Sequence, residues 1–498
     1  MESKKKRIIS IIALIALALT IIAATYAYFN AQNGDPAAAD IKINANTVDT
    51  LTFATGNQIS FTINQENFAS GTGNQTSSTY ASALLTANNK TNIATEHYYL
   101  YLNIENNTFT YSIDENTPEI IMTVTDTSGT EITDISTLTH VVATGADGKE
   151  VSGYDITNKN GLITLFNNRE ITTTSSKEEK WNVTITFVNY DQNQKANAGM
   201  SMSAKLMIQK KKITLLADYV KSLYTGTQGD NGIYYHNSSL ANGAVDSSYR
   251  YSGANPNNFV CFGSNATPCP EDNLYRVIGV FEDKVKLIKY DYANSNLLGI
   301  DGDYRSSNTY CWNYKNDTSI NNRRGSNEWS TSLFNKINLN TNYLKNIGTT
   351  WANMIENTTW KVSGHTTSVV TPSKMYAAEI TNATKRYGPS DGISKIGLMY
   401  ASDYGFAASP SAWTQALNKY NSSTVTAVNW MYMGFNEWTL TPYSSDGFVV
   451  YLISSDGVLG NMPACYCYFV RPVFYLKSSI AYAGGSGTKD SPITLEIW

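Results

Sequence analysis

Asn429 to Leu476 reads NWMYMGFNEWTLTPYSSDGFVVYLISSDGVLGNMPACYCYFVRPVFYL, and this stretch decides what kind of domain ends the chain. Phe448 to Ile453 is a run of aromatic and branched apolar residues, Ser454-Ser-Asp-Gly457 is a turn sequence, and Val470 to Leu476 predicts a closing strand that carries Pro472. Trp430, Tyr432 and Trp438 stand at even spacing, which in an extended chain puts them on one face beside Asn429, Asn436 and Glu437. Trp and Tyr bring large, rigid contact area at small entropic cost. The candidate ligand-binding residues are therefore Trp413, Asn429, Trp430, Tyr432, Phe435, Asn436, Glu437, Trp438 and Tyr443, with about half of the aromatics expected in the core instead. Arg471 sits inside an apolar strand, where it needs a carboxylate or backbone carbonyls as its partner.

Upstream of this block, Leu274 to Phe281 and Val285 to Tyr290 predict a hairpin that turns at Glu282. Trp329 to Leu344 predicts a helix with Trp329, Leu333 and Ile337 on one side. One hairpin, a helix or two, long polar loops and a terminal sheet make an α+β domain over residues 273–498. Before it, residues 211–272 read as a short amphipathic helix followed by a linker. Leu216, Tyr219, Val220 and Leu223 share the helix's face. The Gly/Asn/Ser/Tyr-rich segment Thr225 to Asp272 is a linker or an extended loop, and Tyr234, Tyr235, Tyr249 and Tyr251 favour a loop wrapped on a domain.

Residues 30–210 alternate in the manner of a β-sandwich stalk. Trp181, Val183, Ile185 and Phe187 occupy every second position, as do Met200, Met202, Ala204, Leu206 and Ile208. His97 to Ile104 and Glu119 to Asp126 also read as strands, and nothing in this region is arranged for chemistry. The fold class expected is mainly β, a β-sandwich followed by an α+β domain.

Residues 1–29 join Lys4-Lys-Lys-Arg7 to an uncharged apolar run that ends in Ala24-Thr-Tyr-Ala27. Such a segment is a signal peptide cleaved at Ala27 or, if uncleaved, a transmembrane anchor that ties the chain to the membrane. The basic residues stay inside, so the rest of the chain is exported.

Composition narrows the function. Charged residues are 16% of 498 and the formal net charge is −4, with no basic cluster beyond the start, so nucleic acid is not an expected partner. The five cysteines are too few for a disulfide framework, but Cys261 and Cys269 are close enough to bridge in an oxidising compartment. Cys465 and Cys467 read as two small apolar residues on one sheet face, ahead of a redox or soft-metal pair, and Cys311 is left over. His97, His140, His236 and His365 are scattered without metal spacing, so neither a metal nor a cofactor is expected. No nucleophile elbow or phosphate loop occurs, and no spacing singles out a catalytic pair among Glu379, Asp403, Glu437 and Asp446.

Two resemblances add to these readings. Ala27-Tyr28-Phe29-Asn30 after the apolar run resembles the export signals of camelysin-type and biofilm-matrix fibre proteins of Gram-positive bacteria. The second covers Leu274 to Leu476. YRVIGVF, Trp329 with Ser332-Leu333, Trp360 to Gly364, Tyr376 with Glu379, IGLMYASDYGFA, Trp438 to Pro442, Ser454 to Gly457 and Val470 to Val473 are its anchors. In that order they resemble a domain of unknown function in surface proteins of gut Firmicutes, similar to the C-type-lectin-like and formylglycine-generating-enzyme-like fold. The resemblance implies an extracellular binding role and brings no catalytic residue. The Glu-Pro-Asn or Gln-Pro-Asp loop and the Trp-Asn-Asp strand of calcium-dependent sugar-binding lectins are missing, and with them the hard oxygen ligands. Cys465 and Cys467 are closer together than the cysteine pair of the formylglycine-generating oxidases.

The expectation is a secreted or surface-anchored, non-catalytic, adhesin-like protein whose aromatic C-terminal block contacts an extracellular protein or glycan. The alternative is a biofilm-matrix or fibre component assembled through the sandwich. A third reading is the variable protein of a diversity-generating retroelement, which the position of this block before Arg471-Pro472 resembles.

Overall fold

The computed structural model describes residues 48–64, 73–88, 92–314, 325–382, 392–421 and 423–496. The export segment of residues 1–29 and the cleavage position Ala27 lie outside the described residues. The chain divides into two compact units after Lys212. Strand outweighs helix, 38% to 17%, and the sheets are antiparallel, so the chain is mainly β. Among the described residues no helix is long and apolar enough to cross a membrane.

The first unit contains strands β1 (Thr50–Thr55), β2 (Ile59–Thr62), β3 (Gln75–Thr86), β4 (Ala94–Asn107), β5 (Ile120–Thr125), β6 (His140–Thr144), β7 (Glu150–Asp155), β8 (Gly161–Thr173), β9 (Ser176–Phe187) and β10 (Ser201–Gln209). They form a six-stranded sheet ordered β1-β3-β9-β5-β7-β6 and a four-stranded sheet ordered β2-β10-β4-β8. Alternation explains the pairing. Trp181, Val183, Ile185 and Phe187 of β9 face inward with Ala81, Ala83 and Leu85 of β3, against Leu100, Leu102 and Ile104 of β4 and Met202, Ala204 and Leu206 of β10. Glu119 lies buried at one end of this core. Its carboxylate accepts hydrogen bonds from Ser112 N (2.5 Å), Gln194 Nε2 (2.8 Å) and Asn197 Nδ2 (2.8 Å), which tie two loops to β5.

The second unit is organised around a sheet whose strands run β11 (Ile233–Tyr235), β12 (Tyr249–Tyr251), β14 (Leu274–Phe281), β15 (Lys284–Lys289) and the strand Val473–Tyr475, with β13 (Phe259–Cys261) also paired to β14. The predicted hairpin is present, and Glu282 turns it at φ 59°. The regular part of the closing strand is Val473–Tyr475, and it begins after Pro472, which has no amide hydrogen to donate to a ladder. A second sheet joins Glu437–Pro442, Val449–Ile453 and Leu459–Pro463, with Gly457 (φ 94°) in the predicted turn.

Two expectations need correction. In residues 211–272 the linker gives way to the wrapped segment that the tyrosines favoured, and three of its strands enter the sheet and bury Tyr251, Val260 and Phe262. The amphipathic helix is present over Leu216–Ser222 with Leu216 and Val220 in the core. The second difference is helical phase. From Phe334 to Tyr343 the helix is of the wider π type, so Phe334, Asn338, Leu339 and Tyr343 are buried while Leu333 is exposed. A period wider than 3.6 moves the core face away from Leu333 and Ile337. Near the end of the chain Ala481–Gly484 pairs with Thr494–Glu496 in a further hairpin.

The two ends of this unit meet. Leu216 N donates to Ile480 O at 2.8 Å, and the rings of Tyr219 and Tyr482 stack with centroids 3.7 Å apart.

Candidate functional site

The aromatic block divides between core and surface. Trp413, Trp430 and Trp438 are 0%, 4% and 0% exposed, which withdraws them from any surface a ligand could touch. Each indole N–H is already used. Trp413 donates to Ala408 O (2.9 Å), Trp430 to Tyr251 O (2.9 Å) and Trp438 to Tyr310 O (3.1 Å). A buried indole needs such a partner, and for Trp430 and Trp438 the backbone of distant segments supplies it, for Trp413 its own neighbouring loop. Asn429 is buried as well, its amide donating to Tyr404 O and its carbonyl oxygen accepting from Met431 N. Residues 430–432 form a turn rather than a strand, so Trp430, Tyr432 and Trp438 do not share a face as even spacing predicted.

Glu437 and Arg471 answer one another. Arg471 Nε lies 2.8 Å from Glu437 Oε1 and Nη2 lies 2.9 Å from Oε2, while Nη2 also donates to Met431 O at 2.7 Å. Both side chains are buried, so this fork satisfies the expectation that Arg471 meets a carboxylate and removes Glu437 from the accessible set. Burial pushes the Glu437 carboxyl up from its ordinary value, and the Arg471 charge works against that rise.

What remains at the surface is smaller and centres on Phe435. Phe435 is 56% exposed and packs on Phe469 (centroids 5.2 Å) and Tyr292 (6.0 Å), and Phe469 lies 4.8 Å from Tyr292. Tyr432, half-buried, donates its hydroxyl to Ser455 O at 2.7 Å. Asn436 accepts from Ser455 N at 2.8 Å, which fixes the turn beside Phe435. Tyr443 is half-buried and rests edge-on against Tyr451. Sequence reasoning missed Tyr292 and Phe469. Tyr292 precedes the block by more than a hundred residues, and Phe469 lies in the half of the block read only as a strand.

Four of the five cysteines pair in two bridges. Cys261 and Cys269 are joined as expected. Cys311 and Cys467 are joined as well, standing opposite each other on the neighbouring strands Thr309–Cys311 and Cys467–Tyr468. This corrects the reading of Cys467 as a buried apolar residue and of Cys311 as left over. Neighbouring strands brought together what lies 156 residues apart in sequence.

A second constellation is interior. Two carboxylates that spacing could not pair, Glu379 and Asp403, come together around Lys286 and Arg250. Lys286 Nζ is 2.5 Å from Asp403 Oδ2, Arg250 Nη1 is 3.4 Å from Asp403 Oδ1, and Arg250 Nη2 is 2.6 Å from Asp246 Oδ2. The helix Ala401–Ala407 presents Asp403, whose Oδ2 also accepts from Tyr400 N at 2.9 Å. Glu379 Oε1 accepts from Thr441 Oγ1 (2.5 Å) and from Ser402 N (3.4 Å), whereas Oε2 has no hydrogen-bond partner among the described residues. Burial pushes the Glu379 carboxyl up to about 7, against the opposing hydrogen bonds from Ser402 and Thr441. Burial also lowers the Lys286 ammonium below its ordinary range, with Asp403 opposing.

Comparison with family models, with curated proteins and with solved structures finds no match to this chain. The reading therefore rests on the site itself.

In the first unit a cleft of about 670 Å³ opens beside β8 and β9. In it Arg169 lies over the Trp181 ring (4.3 Å) and donates through Nε to Glu179 Oε2 at 2.8 Å. Among the described residues no three His, Cys, Asp or Glu side chains are grouped to hold a metal ion.

Proposed function

We propose that this chain is an exported, non-catalytic binding protein of the bacterial surface, with a C-type-lectin-like second unit that takes an extracellular protein or glycan. The observation that carries the reading is the exposed ring of Phe435, backed by the half-buried rings of Phe469 and Tyr292 and held beside the turn that Asn436 and Ser455 brace. Isolated surface aromatics are ordinary, but an exposed ring held in place by two others from separate segments offers stacking area whose ordering cost is already met by folding. The two disulfides support export, since such bonds persist outside the reducing cytosol. A central hairpin joined by a late strand, long loops between them and adjoining ends support the lectin-like reading.

The test takes the chain from Tyr28 onward and screens it on a glycan and glycoprotein array beside Phe435→Ala. Binding that disappears in a variant with an unchanged melting curve is the expected result. Binding that survives Phe435→Ala, or a folded chain that binds nothing, rejects this site.

A second reading, the matrix fibre, draws on β1 and β6, the edges of the six-stranded sheet, with Val142 of β6 61% exposed. Filaments in electron micrographs of the same preparation, absent in a Val142→Lys variant, would favour it.

A further inference from the structure

The interior group around Lys286 has a geometry that an ordinary ion pair does not need. Lys286 and Asp403 are 117 residues apart in sequence, lie on different elements and are almost fully buried, with side chains 1% and 2% exposed. The ammonium of Lys286 is lined by the rings of Tyr400 (4.6 Å), Phe281 (5.4 Å), Tyr475 (5.4 Å) and Trp360 (5.9 Å), which leave little room for water. A third acid, Glu379, is fully buried, held to the same helix turn by Ser402 N and to the strand Glu437–Pro442 by Thr441 Oγ1, with Oε2 unpartnered among the described residues.

We propose that Lys286 and Asp403 form an intramolecular amide bond, with Glu379 carrying the protons. The bond forms between Lys286 Nζ and Asp403 Cγ, and the bond from Cγ to Oδ2 breaks. Starting from the ion pair, Nζ loses two of its three protons and Oδ2 leaves with both as water, so charge and atoms balance and no oxidant or co-reactant is needed. Glu379 gives its proton to the departing oxygen and receives one from the nitrogen, and so ends as it began. Arg250 donates to Oδ1, the oxygen retained by the amide, and draws electrons from the carbon under attack.

Three physical effects drive the reaction. Holding amine and carboxyl in contact replaces a bimolecular encounter with an intramolecular one. The dry surroundings disfavour the two charges and oppose hydrolysis of the product. They also lower the Lys286 ammonium and raise the Glu379 carboxyl, the directions that proton transfer from nitrogen by way of Glu379 requires.

Mass spectrometry of the full chain decides the matter. After reduction, alkylation and trypsin digestion, the expected product is a branched peptide joining residues 285–289, uncut at Lys286, to residues 396–419. Its mass falls about 18 Da below the sum of the two parts, the loss of one water. Cleavage after Lys286 together with a linear 396–419 peptide overturns the proposal. Glu379→Gln is expected to keep the fold, followed by circular dichroism, and to lose the branched peptide. A fully linked Glu379→Gln chain overturns the role given to Glu379. If that variant does not fold, the wild-type digest still decides whether the bond exists.

Discussion

Removing the guanidinium of Arg471 is expected to destabilise the second unit more than almost any other single change, because of what it leaves behind. In Arg471→Met the Glu437 carboxylate stays buried but loses the Nε and Nη2 hydrogen bonds at 2.8 and 2.9 Å, and Met431 O loses its donor. Breaking a buried pair on one side costs about 3–5 kcal/mol, whereas replacing both partners by apolar groups of similar volume is often close to neutral. Arg471→Met should therefore cost about 4 kcal/mol and Arg471→Met with Glu437→Leu much less, a coupling that urea unfolding of the four chains measures. The pH dependence has a definite sign. Burial already raises the Glu437 carboxyl in the folded state, and losing Arg471 raises it further. Above the unfolded value of about 4.3, the unfolded chain has lost this proton while the folded variant retains it, so the variant's stability falls as pH rises and its deficit is smallest near pH 4–5. A cost below about 1 kcal/mol, or a deficit that does not shrink in acid, would refute the reasoning.

Trp438→Ala should lower stability by about 3–5 kcal/mol, read by denaturant unfolding, because it empties a fully buried site and orphans Tyr310 O. Any loss of ligand binding in that variant should follow the loss of fold. Phe435→Ala should change stability by no more than about 0.5 kcal/mol, since more than half of the side chain meets solvent. The two disulfides should differ in worth. Loop-closure entropy assigns about 5 kcal/mol to Cys311–Cys467, which spans 156 residues, and about 2.5 kcal/mol to Cys261–Cys269, which spans 8. Thermal melts of Cys311→Ser with Cys467→Ser against Cys261→Ser with Cys269→Ser test that order.

Much of this architecture could be read directly from the chain. Alternation in β9 and β10 has a period of two, which only a strand with one buried face explains, and the hairpin at Glu282 and the turn at Gly457 announce themselves by local chemistry. The bridge between Cys261 and Cys269 is equally local. The candidate site was less legible. An exposed and a buried aromatic residue have the same spacing, and what separates Trp438 from Phe435 is which distant segments cover the ring. The wider helix at Phe334–Tyr343 changes the period itself, so a rule tuned to 3.6 chose the wrong face.

The sequence by itself determined the mainly β character, the strand patterns and the need of Arg471 for a partner, because each follows from neighbours within a few residues. Only the tertiary structure decided that Glu437 is that partner, that Cys311 meets Cys467, that Tyr292 and Phe469 flank Phe435, and that Lys286 touches Asp403. These pairs lie tens to more than a hundred residues apart. Their contacts are set by which sheet faces close on one another, a property of the packed chain that no local pattern records.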